Sequence, residues 1–320
     1  MGDEFEDSVD RIEQLMAASE PQLARAFLRM VAAIKSALIL EEVADAIESG
    51  NWVDALDNAL KAVPLMSEAS ADAFIEAARD TARFLNRALG EVRIVFDQTN
   101  FRAVNAIQAN TLRLVRGLTS EQREMLRQLL LDGISRGINP REVARTLRES
   151  IGLTPYQERV VASYRRSLEQ LDAAALQRAL RDGRFDATVR RAINSRVPLT
   201  QPQINQMVGR YRARMLAQRA ETIARTEGLR SAHEGSRAMY DQAIANGDLD
   251  PKMLTQEWNT AGDERVRHSH SAMQGQTQPY GAPFTSGDGN LLMYPGDASA
   301  PAHEVINCRC MVGMRLGAVK

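Results

Sequence analysis

The sequence predicts a mainly α-helical amino-terminal region followed by a small α+β carboxy-terminal module, on three observations. Ala and Leu supply much of the apolar content while aromatics make up only 5%, a composition that favours helices over large sheets. Helix-start signals punctuate residues 119–230, and the apolar residues between them recur at helical spacing. After about Gly247 that pattern stops, and Gly, Pro, Ser and Asn separate short apolar runs.

Taken in order, residues 21–49 and 67–115 read as helix, with breaks near Gly50-Asn51, Pro64 and Gly90; the earliest acidic residues are expected to be mobile. Thr119-Ser120-Glu121-Gln122 fits a capping box, in which Thr119 accepts from the first turn and Gln122 reaches back. Asn139-Pro140-Arg141-Glu142, Thr154-Pro155-Tyr156-Gln157 and Thr200-Gln201-Pro202-Gln203 repeat that logic, the first two with proline at the first helical position. Helices are therefore expected near 120–134, 140–149, 155–182 and 201–230, with a break from Gly183 to Pro198 and a further helical lead-in over 221–246. Val160, Val161, Tyr164, Leu168 and Leu171 form one apolar stripe, and Ile204, Met207, Val208, Tyr211 and Met215 a second. In the tail, Leu254–Asn259, Leu291–Tyr294 and Met311–Leu316 are candidate strands, with a turn at Pro295-Gly296-Asp297. Three regions follow: an acidic helical region, 1–118; an Arg-rich helical region, 119–219; and the α+β module, 220–320.

Charge is unevenly distributed. Residues 1–80 hold 6 Lys+Arg against 17 Asp+Glu, while residues 136–237 hold 20 Arg against 10 Asp+Glu, so the net charge of −1 conceals two opposed regions. The basic stretch suits DNA, an acidic protein, or a solvated face laced with internal pairs; Arg210, Arg212, Arg214 and Arg219 are its candidate phosphate contacts. No secretory signal is expected from the acidic start, and the best apolar stretch, Val31–Leu40, is too short for a membrane span and carries Lys35. No nucleotide-binding glycine loop is present, so ATP-driven work is not expected of this chain.

Chemistry concentrates in the tail. His268, His270, His303, Cys308 and Cys310 all fall there, whereas His233 sits on the lead-in helix and reads as structural. Thiolates and imidazoles suit zinc, and Cys308, Cys310, His270 with either His268 or His303 would close one structural site. His268 and His270 would point the same way in an extended segment. The one-residue spacer between the cysteines is narrower than most zinc pairs, which leaves reduced packing cysteines open as the other reading, while a disulfide across it would be strained. Asp263, Glu264 and the histidines supply groups for metal-dependent hydrolysis without a sharp nuclease pattern. Glu304 reads as a surface carboxylate before it reads as a base.

The ordered set Arg225-Thr226-Glu227, Trp258, Asp263-Glu264-Arg265-Val266-Arg267, His270, Gly275-Gln276, Phe284, Pro295-Gly296-Asp297 and Ile306-Asn307-Cys308-Arg309-Cys310 closely resembles the head morphogenesis domain of the Mu F-like phage minor head proteins, over about 220–316. The Asn-Cys-Arg-Cys element is its most specific piece. The resemblance implies a minor capsid protein that is not an enzyme, in the head interior or at the portal vertex, and in the host cytoplasm during assembly. It implies portal, other capsid or scaffold proteins as partners, with phage DNA and self-association as further partners and no membrane. It gives His270, Cys308 and Cys310 added support as ligands, and Arg265 and Arg267 are expected to pair with carboxylates such as Asp263 or Asp297. A metal-dependent nuclease or other DNA-processing enzyme is the alternative, and a host effector delivered by the particle the second alternative.

Overall fold

A computed structural model of the protein describes residues 3–90 and 93–317 of the 320. The described residues are mainly helical and end in short antiparallel strands, as the composition predicts. The helices are α1 (Asp3–Ala37), α2 (Leu40–Ser49), α3 (Trp52–Leu60), α4 (Leu65–Leu89), α5 (Phe101–Ser135), α6 (Pro140–Ser150), α7 (Pro155–Glu169), α8 (Asp186–Ser195), α9 (Gln201–Asn246), α10 (His268–Ser271) and α11 (Ala302–Val305). The strands are β1 (Leu254–Asn259), β2 (Thr277–Pro279), β3 (Phe284–Thr285), β4 (Leu291–Leu292) and β5 (Met311–Leu316). None of the described helices is long and apolar enough to cross a membrane. The acidic start is helical from Asp3 onward, and Met1 and Gly2 lie outside the described residues.

Packing groups the chain into two compact units that are not consecutive stretches. Unit 1 takes Met1–Phe27, Pro64–Val115 and Glu221–Lys320; unit 2 takes Leu28–Val63 and Arg116–Ala220.

In unit 2 the two apolar stripes build one core. Val161, Tyr164 and Leu168 of α7 meet Ile204, Met207, Val208, Tyr211 and Met215 of α9, with Val189 and Ala192 of α8. Tyr164 and Tyr211 stack with centroids 4.4 Å apart. Three of the expected helix starts hold. Asn139 accepts from Arg141 N at 2.9 Å, and Thr154 and Gln157 form the reciprocal capping box at 3.1 and 3.0 Å. Gln203 Oε1 accepts from Thr200 N at 2.9 Å, and Gln203 N lies 3.4 Å from Thr200 Oγ1.

The fourth does not hold: Thr119 lies inside α5. Gln122 is buried, donating to Leu153 O at 3.0 Å and accepting from Gly152 N at 2.8 Å. A local capping pattern was outweighed by a polar partnership some thirty residues away. The helix expected over 155–182 also stops early, at Glu169. Leu171 takes a left-handed φ of 55°, and Asp172 caps a following 3-10 turn by accepting from Ala174 N. Within the expected break at 183–198 the chain forms α8, entered through a 3-10 turn capped by Asp182. Gly50 and Gly90 end α2 and α4 at φ 80° and 66°, at the breaks read from sequence.

Unit 1 packs α4 and the later part of α9 onto the carboxy-terminal module. Gly235 lets these helices approach: a Cβ there would run into the Phe74 carbonyl. Buried hydroxyls tie the seam, Ser70 to Ser231 at 3.1 Å and Thr81 to Ser236 at 3.0 Å. The lead-in over 221–246 is not a separate helix but the continuation of α9. Beyond it β1 is the central strand of an antiparallel sheet ordered β2-β1-β5, with Trp258 opposite Val312 and Asn259 opposite Met311. Alternation buries Leu254, Gln256 and Trp258 of β1. Strands β3 and β4 make a separate two-stranded ribbon.

Candidate metal centre and the adjoining cleft

Two short segments bring the centre together. The first is α10. It is a single helical turn, so His268 and His270, two residues apart, diverge instead of sharing a face: His268 is exposed and His270 is 1% exposed. The expectation of an extended histidine pair is thereby corrected.

The second segment is the turn into β5. Asn307 adopts a left-handed φ of 57°, a conformation asparagine tolerates better than most residues. Two residues of α9 hold it: Asn307 N donates to Thr226 Oγ1 and Asn307 Oδ1 accepts from Arg225, both at 2.9 Å. The chain then presents Cys308 and Cys310 inward, 1% and 3% exposed. Their sulfurs lie 3.5 and 3.4 Å from His270 Nδ1. Both cysteines are free thiols.

His270 Nε2 lies 3.0 Å from Glu304 Oε2, at ion-pair distance but outside hydrogen-bond alignment. Glu304 is fully buried, which corrects its reading as a surface carboxylate. It accepts from Ser269 and Ser286 at 2.8 Å and from Asn290 at 2.9 Å. Burial alone would raise its pKa. The donors Asn290, Ser286 and Ser269, with His270, outweigh that and bring it down to about 2. Nothing local in the sequence marks Glu304, because its partners come from two other segments, α10 and the loop between β3 and β4.

The two thiols are pushed apart: the neighbouring Cys310, including its backbone N–H at 3.4 Å, and His270 pull the Cys308 thiol down against burial, while Cys308 and burial push the Cys310 thiol up. Trp258 completes the walls, its ring edge-on to His270 and to Phe284 at 5.4 Å in each case. Its indole N–H is buried and has no hydrogen-bond partner among the described residues.

This donor set fits zinc. With Zn–N near 2.0 Å and Zn–S near 2.3 Å, tetrahedral angles separate nitrogen from sulfur by about 3.5 Å. The two observed separations match. A carboxylate touching the far nitrogen of the ligating imidazole is the usual outer partner of such a site. His270, Cys308 and Cys310 form one candidate cluster, which neither His268 nor His303 joins. His303, on α11, is 62% exposed and faces Asp288 and Glu304 at 3.9 Å. The expected protein fourth ligand is therefore not supplied by either histidine. His233 is buried against Tyr294 and away from the centre; burial and the Arg237 charge lower it to about 3.

The remaining motif residues brace the centre. Arg309 binds Asp263 through two bonds of 2.6 and 2.5 Å, and Arg267 donates to Ile306 O. Arg267 thus binds a carbonyl instead of the expected carboxylate, and Asp297 accepts from Met293 N and Ser299. Glu227 pairs with Arg230, which also donates to Gly296 O at 2.8 Å. Beside the centre lies a cleft of about 150 Å³, lined by Arg265, Arg267, Arg309, Asn307 and the three candidate ligands among others.

In unit 2 the candidate phosphate contacts are largely engaged. Arg212 bridges Glu149 and Glu158 at 2.5 and 2.6 Å. Arg219 is 6% exposed against Glu121 at 2.8 Å, and Arg214 faces Asp182 at 3.4 Å, while Arg210 is exposed. An arginine count cannot distinguish a solvated face from one tied into internal pairs.

Fold and site together define a helical chain that carries a small α+β module with a buried His-Cys-Cys cluster. Residues 173–313, somewhat under half of the chain, match the family described as Phage Mu protein F like protein. That region is similar to the Mu F-like family, in keeping with the tail motifs, and the match suggests phage head morphogenesis at the family level. No curated protein and no solved structure matches the chain.

Proposed function

We propose that the protein is a minor head protein that acts in phage head assembly, inside the head or at the portal vertex, and that its carboxy-terminal module is clipped by one zinc ion. The family match over 173–313 carries the assembly role. Motif residues in that match brace the module: Arg225, Thr226, Asn307 and Arg309 all hold the two segments that bear the ligands. In this reading they stabilise a docking element. Portal, capsid or scaffold proteins are its partners, and self-association is a further contact. DNA contact falls to Arg210 and other exposed arginines of unit 2, because Arg212, Arg214 and Arg219 face carboxylates.

His270 Nδ1, Cys308 Sγ and Cys310 Sγ would hold the metal, with Glu304 fixing the imidazole from its far side. Bound zinc supplies a cross-link between α10 and the turn into β5, in a module whose strands are short. Two experiments test the proposal. Tagged protein should co-sediment with procapsids and crosslink to a portal-vertex component; its absence from heads at every assembly stage would overturn the assembly role. Metal analysis of reduced, tag-free protein should give about one zinc per chain, lost in Cys308→Ala, and stoichiometric absence after gentle purification would overturn the clip.

A further inference from the structure

The cluster supplies three ligands where tetrahedral zinc takes four, and the described His, Cys, Asp and Glu residues add no fourth ligand atom to it. All three ligands line the cleft of about 150 Å³, a space larger than one water needs. The same cleft is lined by Arg265, Arg267 and Arg309. Arg309 is neutralised by Asp263, and Arg267 is anchored by a carbonyl that carries no charge, so Arg267 and the exposed Arg265 leave positive charge facing the cleft. Zinc held by two thiolates and a neutral imidazole has no net charge. With Glu304 adding one negative charge behind the imidazole, an incoming oxyanion meets two guanidiniums at the cleft, whose planar forks suit tetrahedral oxyanions.

We infer that this cleft is a phosphate-binding site, in which a phosphate oxygen takes the fourth position on the metal while Arg265 and Arg267 hold its other oxygens. The inference rests on the metal reading above and adds that the clip is open on one side. A ligand seated there would couple occupancy of the cleft to the α10–β5 cross-link.

Cobalt(II) in place of zinc tests this, since its visible absorption reports the ligand set. The full chain should bind one cobalt with sulfur charge-transfer bands. Titration with inorganic phosphate should then change the ligand-field bands saturably, and equal concentrations of acetate should change them far less. A nucleoside monophosphate acting at lower concentration than inorganic phosphate would identify a carried phosphate as the natural ligand; the reverse order would identify the free ion. Arg265→Ala should keep one cobalt per chain and raise the phosphate concentration for half-change about ten-fold, the scale of one charge-assisted hydrogen bond.

Cobalt bound but unresponsive to phosphate would overturn the inference and leave the metal clip standing. So would an acetate response equal to that of phosphate. A spectrum altered by His268→Ala or His303→Ala before any phosphate is added would show the fourth position closed by protein. Failure to bind cobalt at all would end both readings.

Discussion

The two units solve the same problem with different materials. Unit 2 is helical throughout, and much of its order is set by neighbours in sequence: caps at Asn139 and Thr154, and stripes that repeat every three or four residues, with Gln122 as a buried long-range exception. Many of its charges pair near the surface, among them Arg123 with Asp57 and Arg127 with Glu124. Unit 1 buries its polar groups. Glu304, His270, Glu227 and Arg230 are each less than a tenth exposed, and their partners lie on other segments or, for Glu227 and Arg230, one helical turn apart. The lesson is that apolar periodicity sets most of a helical core, whereas a module of two- to six-residue strands relies more heavily on a specific buried polar network.

Substitutions sharpen that contrast. The largest effect is expected in unit 1, from Glu304→Ala, which leaves the Ser269, Ser286 and Asn290 donors without their buried acceptor. Loss of a buried, multiply bonded carboxylate should cost about 3–5 kcal/mol. Trp258 reports it: with Trp52→Phe, its indole is the sole tryptophan fluorophore, and its denaturant midpoint should fall. A cost below about 1 kcal/mol would remove the contrast between the units.

Next in size is Gly152→Ala in unit 2. Its φ of +91° disfavours any side chain, and a Cβ would meet Leu216 Cδ1 at 2.6 Å and Val31 Cγ2 at 2.7 Å. Strain and overpacking together should cost about 2–3 kcal/mol in urea unfolding. A neutral outcome would mean that unit 2 is packed more loosely than its stripes imply.

Acid should act on unit 1 through His233. Burial, then the Arg237 charge, lowers it to about 3 from an ordinary 6.5. Between those values the unfolded chain binds a proton that the folded chain does not. Stability is therefore complete above pH 6.5 and declines as pH falls toward 3, by about 1.4 kcal/mol per pH unit for this one group. The difference in stability between the parent and His233→Gln, measured from pH 7 to 4, should carry that slope. A difference independent of pH would show that His233 does not titrate on unfolding.

The smallest effect belongs to the cap of α7. Thr154→Ala removes one acceptor from Gln157 N and should cost about 1 kcal/mol. If it cost as much as Glu304→Ala, the two units would not differ in how they use polar groups.

Sequence was most informative where the physics is local. The starts at Asn139, Thr154 and Thr200, the ends at Gly50 and Gly90, and strands β1 and β5 follow from side chains within a few residues of each backbone position. It was misleading where a distant partner competes. The Thr119 pattern has the composition of a cap, yet Gln122 is drawn to Gly152 and Leu153. Leu171 carries no turn signal, and still ends α7 in a left-handed conformation. An extended segment would point His268 and His270 the same way, and the four-residue helical turn removes that alignment.

By itself, then, the sequence determined the helical character, the short-stranded tail, the Mu F-like resemblance and the residue types of the candidate cluster at His270, Cys308 and Cys310. Tertiary structure alone decided that Glu304 is buried against the imidazole, that His268 and His303 stand apart, and that arginines line the cleft beside the sulfurs. The reason is range: hydrogen-bonded backbone geometry is set by residues a few positions apart. A charge's burial and partners depend on which segments the fold brings within about 4 Å.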